Sequence, residues 1–96
     1  MPQYEITYIM RPALEDPNVD ELAAHFSGVA KQNGADPVEA QRLGKRRLAY
    51  DIQKMHEGHY VCMQFSGSAD CAKEVVRQMR LHESVLRALL VKADGK

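Results

Sequence analysis

The sequence predicts an α+β fold in the order β-α-β-β-α-β, a four-stranded antiparallel sheet with two helices on one face. Three observations predict it. Four stretches alternate apolar and polar residues with period two, as half-buried strands do. Two others carry apolar stripes at helical spacing. No run of about 18 apolar residues exists, which excludes a transmembrane helix. The 96 residues, 45% hydrophobic and 27% charged, have the length and composition of one globular domain over 1–96, with a short tail at about 93–96.

Tyr4 to Met10 is the first strand, with Tyr4, Ile6, Tyr8 and Met10 on one side and Glu5, Thr7 and Ile9 on the other. Pro12 closes it, because proline lacks the ladder donor. Asp16-Pro17-Asn18 opens a helix in which Asp16 caps and Pro17 suits the first turn. Its stripe is Val19, Leu22, Ala23, Phe26 and Ala30, and Gly34 stops it after Asn33. Gly28 inside that helix predicts a close neighbour. Val38 to Ile52 reads as a long, bulged second strand with Gly44 at the irregularity, and Lys54 to Gly58 as the turn that follows. Val61, Met63 and Phe65 alternate with Tyr60, Cys62 and Gln64 on the third strand. Asp70 caps a second helix with the stripe Ala72, Val75, Val76 and Met79. His82-Glu83-Ser84 turns into the last strand, Val85 to Lys92, where Leu86, Ala88 and Leu90 oppose Val85, Arg87, Leu89 and Val91. Right-handed crossovers place both helices on one face, the split βαβ or ferredoxin-like arrangement, and leave the other face open.

The net charge of zero is a cancellation. Residues 1–40 hold two basic and seven acidic groups, and residues 41–96 hold eleven basic and six acidic. This asymmetry predicts an acidic and a basic face, the latter a nucleic-acid footprint or an ordinary dipolar surface. Lys45-Arg46-Arg47, with Arg42 and Lys54 nearby, is the densest positive stretch. Such residues hold phosphates, and on an edge strand they also block unwanted pairing. Arg46 and Arg47 are adjacent on a strand, so they face opposite sides. On the open face Thr7, Ile9, Tyr60, Leu89 and Val91 form a mixed surface that suits a protein partner. Arg87 and Lys92 are assigned to its basic side.

The signs of catalysis are missing. No GxxxxGK[ST], GxSxG or HExxH occurs. Arg11-Pro12-Ala13-Leu14 lacks the glycine of a phosphate-cradling loop, which argues against an acylphosphatase-like enzyme. Glu57-Gly58-His59-Tyr60-Val61 shares only its glycine with the RNA-recognition-motif consensus. His56, His59 and Cys62 supply ligand types, but His59 and Cys62 face opposite sides of a strand, so no metal and no cofactor is expected. Two cysteines, Cys62 and Cys71, fit a reducing compartment, and Cys71 reads as a buried or idle thiol. The Met1-Pro2-Gln3 start has no basic stretch leading into an apolar one, so no secretory signal is expected.

The run Leu43-Gly44-Lys45-Arg46-Arg47-Leu48-Ala49-Tyr50 resembles the Gly-x-Arg-Arg-Leu-Ala-Tyr signature of the bacterial-type small-subunit ribosomal protein S6 family. Tyr4-Glu5 before the Pro12 turn, Glu57-Gly58-His59-Tyr60, and Leu81-His82-Glu83-Ser84-Val85-Leu86-Arg87 match in order, over nearly the whole chain. Pro2-Gln3 are uncharged where many relatives are basic. The resemblance implies a non-catalytic structural constituent of the small ribosomal subunit, in a cytoplasmic or organellar ribosome. It implies binding to small-subunit ribosomal RNA as a heterodimer with ribosomal protein eighteen (S18), and neither a membrane nor a small-molecule substrate. RNA contact then falls to Lys45, Arg46, Arg47, Arg87, Lys92 and Tyr4, and partner contact to Thr7, Ile9, Tyr60, Leu89 and Val91. A stand-alone interaction or small-ligand module of the same fold, or a phosphatase-like enzyme, is the alternative from residues alone.

Overall fold

The computed structural model describes residues 2–93. Its elements are β1 (Gln3–Met10), α1 (Asp16–Gln32), β2 (Val38–Ile52), β3 (Met55–Ser66), α2 (Ala69–Leu81) and β4 (Val85–Lys92). The strands form one antiparallel sheet in the order β2-β3-β1-β4. The expected α+β architecture is therefore present, with β1 in the middle of the sheet and β2 and β4 at its edges. The expected tail lies outside the described residues beyond Ala93, whose N–H donates to the Gln3 carbonyl at 2.8 Å.

The core fills the space between the helices and one sheet face. Ile6, Tyr8, Met63, Val61, Phe26 and Val75 are fully buried there, and Phe26 meets the Tyr8 ring edge to face at 5.5 Å. α1 ends as its sequence implies. Gly34, at φ +96°, donates to the Lys31 carbonyl at 3.0 Å, and Ala35 donates to Ala30 at 3.0 Å, so two end carbonyls are satisfied. Gly44 also takes positive φ, +93°, where the β2–β3 register shifts between Arg42 and Gly44.

Several local expectations are corrected. Asp16 is the first residue of α1 and Glu15 its cap, without a side-chain bond. Asp16 is instead drawn off by Arg42, whose Nη2 donates to its carboxylate at 2.9 Å. Ser68 caps α2, with Oγ accepting from the Cys71 N–H at 3.0 Å, in place of Asp70. Gly28 has no close neighbour, since a Cβ there would meet nothing within 4 Å. Val85 joins the core, because the register shift between Ile9 and Met10 sets it opposite Met10.

The β2–β3 turn is Gln53-Lys54, both left-handed at φ +51° and +67°. β3 therefore starts at Met55, and Gly58 lies within the strand. A Cβ on Gly58 would sit 2.5 Å from Ile9 Cγ2 and 2.8 Å from the Met10 carbonyl oxygen. The backbone oxygen cannot swing aside as a side chain can. Gly58→Ala should therefore destabilise the protein by about 1–3 kcal/mol, as overpacked sites do. Urea melts check this, and an unchanged midpoint would contradict the packing at this crossing.

Candidate partner and RNA interface

The face of the sheet away from the helices is built in rows by the strand register. In the first row Glu39 lies beside Gln64, Gln64 beside Glu5, and Glu5 beside Val91. The second row is Gln41, Cys62, Thr7 and Leu89. The third is Gly44, Tyr60, Ile9 and Arg87. Four of the expected partner-contact residues, Thr7, Ile9, Tyr60 and Leu89, thus converge on one groove. Val91 shares the face but lies at the acidic end. Leu89 and Val91 are about half exposed, 50% and 49%.

Four residues of β2 outside the expected set, Leu48, Ala49, Tyr50 and Ile52, also line this groove. Past Arg47 the ladder between β2 and β3 is interrupted until Ile52, and Leu48, Tyr50 and Ile52 line the groove from above. Leu48 and Ile9 are each 7% exposed, yet both lie outside the helix-side core. They form a small second apolar cluster on the open face. Period-two alternation through Leu48, Tyr50 and Ile52 was the signal that could have placed them there. Arg87 closes the groove by donating from Nη1 to the Tyr50 hydroxyl, its guanidinium 5.8 Å from the ring centroid, within cation–π range. Arg11 secures the hairpin tip. It donates from Nη2 to Gln53 Oε1 and from Nε to the Glu83 carbonyl, both at 2.7 Å.

The basic residues divide by register and by partner. Lys45 and Arg47 lie opposite His59 and Glu57, and Arg46 opposite Gly58, so Arg46 and Arg47 do take opposite sides. β2 is an edge strand, and all three exposed side chains have the length to reach past its outer edge. Arg42 differs, because Asp16 and Asp20 hold it at 2.9 and 3.0 Å. Its hydrogen bond and charge hold the Asp16 carboxyl below the usual range. That arginine is already neutralised against α1.

Two expected site residues are elsewhere. Tyr4 is buried in the core, its ring 5.9 Å from that of Phe65. It belongs to the same alternation as Ile6 and Tyr8, which outweighs its position at the chain start. Lys92 is exposed but pairs with Tyr4, so it lies on the helix side and not beside Leu89 and Val91. Arg87 is on the open face as expected, although Tyr50 engages it.

No group of three His, Cys, Asp or Glu side chains is placed to hold a metal among the described residues. His56 pairs with Asp51 at 2.9 Å. His59 is buried toward α1, with Nε2 donating to the Leu14 carbonyl at 2.9 Å. Burial pushes the Cys71 thiol up, and its Sγ donates to the Ala30 carbonyl. Burial, then the Glu5 charge, raises the Cys62 thiol as well. Neither is an activated nucleophile. Among the described residues, no helix is long and apolar enough to cross a membrane.

The sequence profile of the family described as Ribosomal protein S6 matches residues 3–92. The chain belongs to the ribosomal protein S6 family. It is 37% identical over 92 residues to the small ribosomal subunit protein bS6 of Carboxydothermus hydrogenoformans, covering 96% of each chain. A crystal structure of 30S ribosomal protein S6 from Thermotoga maritima superposes with a TM-score of 0.85 at 21% identity, over 96% of this chain and 87% of that one. This second likeness shows the fold. The S6 family is one of structural ribosomal proteins and not an enzyme family. In this S6-family chain the run from Gly44 to Tyr50 has two structural jobs. It bulges the edge strand, and it sends Leu48 and Tyr50 over the open face.

Proposed function

We propose that this chain is a structural constituent of the small ribosomal subunit that binds its RNA through the β2 edge and S18 through the open face. Family membership supports the setting. The observation that carries the assignment of surfaces is the difference in their chemistry. Lys45, Arg46 and Arg47 stand exposed on an edge strand without an ion-pair partner among the described residues, whereas the open face offers an apolar groove. Phosphates gain most from free cations. Aliphatic and aromatic groups gain most by excluding water against another protein. A docked partner extends the surface that meets RNA, so the two binding events reinforce each other.

Filter binding of the chain to small-subunit RNA, with and without S18 and across a salt series, tests this. S18 should tighten RNA binding by roughly 5–150-fold, the usual range of coupling between sites. Arg46→Ala combined with Arg47→Ala should weaken RNA binding and flatten the log–log salt slope by up to about two units. Equal RNA affinity with and without S18 would remove the heterodimer mechanism. An unchanged slope in a folded variant would assign both arginines to edge protection.

A further inference from the structure

The open face is polarised, and its polarity specifies the chemistry of what docks there. Glu39, Gln64 and Glu5 form one row across three adjacent strands. Gln64 Nε2 donates to Glu5 Oε2 at 3.0 Å, and neither carboxylate has an ion-pair partner among the described residues. The two glutamates are two strand spacings apart, roughly 10 Å at the backbone. Their side chains can converge on one cation above Gln64, whose amide oxygen is a further acceptor. Four residues along the strands, roughly 13 Å away, Ile9 and Tyr60 stand in the apolar groove, with Leu48 also lining it and Leu89 one row nearer.

Resting on the reading of this face as the S18 surface, we infer that the docking segment is a two-point ligand. It places an arginine or lysine on the Glu39–Gln64–Glu5 row and an aliphatic or aromatic anchor in the groove. The spacing limits its form. About 13 Å corresponds to roughly four residues of extended chain or nine of helix. The carboxylate row also settles which macromolecule this face suits. Two unpaired negative charges repel phosphate, so the face takes a protein segment and RNA stays at the β2 edge. The row fixes the orientation of the segment as well. Reversed, it would bring its cation beside Arg87 and leave both carboxylates unpaired, and such like-charge contacts reject wrong registers.

Calorimetry of purified S18 against the intact chain and two variants tests the inference. Glu5→Gln with Glu39→Gln keeps side-chain size and keeps an oxygen to accept from Gln64. It should weaken S18 binding about tenfold and reduce the salt dependence of association. Glu39→Lys, at an exposed position, should weaken it further. RNA affinity without S18 should stay within about twofold for the glutamine variant. Wild-type affinity for S18 in both variants would overturn the inference while leaving S18 as the partner. No binding of S18 to the wild-type chain would overturn the underlying reading and the inference with it. RNA binding that tightens in the glutamine variant would give this face to RNA, against the proposal.

Discussion

Phe26→Ala should lower the unfolding free energy by about 3–5 kcal/mol, the range for deleting a buried aromatic ring and leaving a cavity. Phe26 is fully buried on the stripe that turns α1 toward the sheet. Its ring meets Tyr8 of β1 edge to face at 5.5 Å and His82, which follows α2, at 5.9 Å. One side chain therefore joins the central strand, the first helix and the link into β4. Little relaxation can fill the hole, because Tyr8 and His82 are held by separate elements. Urea denaturation with unchanged slope and a lower midpoint is the expected record. A loss under about 1 kcal/mol would mean that the site collapses freely, contrary to the packing described.

Leu89→Asp should separate folding from partner binding. Leu89 is half exposed on the open face, beside Thr7 and facing the groove. In the free chain an aspartate there stays hydrated, so stability should change by no more than about 0.5 kcal/mol, as at ordinary surface sites. In the S18 complex the same carboxylate would be pressed against apolar atoms, and Arg87, the cation of the groove, is already engaged by Tyr50. Loss of a central interface contact costs about 2–4 kcal/mol, or roughly 30–1000-fold in affinity. Calorimetry with S18 and a parallel urea melt measure both quantities. Unchanged S18 affinity in the folded variant would move the partner off this face.

What could be read from the residues follows the range of the interactions. The strands and helices were legible because alternation and helical stripes are local consequences of burial, and Gly34 and Gly44 mark places where positive φ is used. Cap identity was not legible, because Asp16 has to be weighed against Arg42, 26 residues away. The hairpin turn was missed since Gln53 and Lys54 carry no glycine or asparagine signal for left-handed backbone. Gly58 gave a false turn, as its small size answers to Ile9 and Met10 on the neighbouring strand. The same holds for the site. Thr7, Ile9, Tyr60 and Leu89 follow from strand parity once the helix face is known. The Arg87–Tyr50 contact depends on how the far end of β2 bends, and no local pattern reports that bend. Tyr4 and Lys92 show parity prevailing over position in the chain: they pair with each other on the helix side.

The place of β1 between β3 and β4 has a consequence for how the chain acquires its shape during its own synthesis. β1 has no neighbour in its sheet until residues 55–66 follow it, and its second edge stays bare until 85–92 are added. Tyr4 waits for Phe65 on one side and for Lys92 on the other. Residues emerge at roughly 5–20 per second, so an apolar strand spends several seconds with both edges open before β3 exists, and longer with one edge open before β4 does. α1 is the one element that can shield it early, by laying Phe26 over Tyr8. Pairings this distant in sequence also slow the final closure relative to helical bundles. The interval before β4 is added is therefore when mispairing with another nascent copy is most favoured, and chain elongation sets its length.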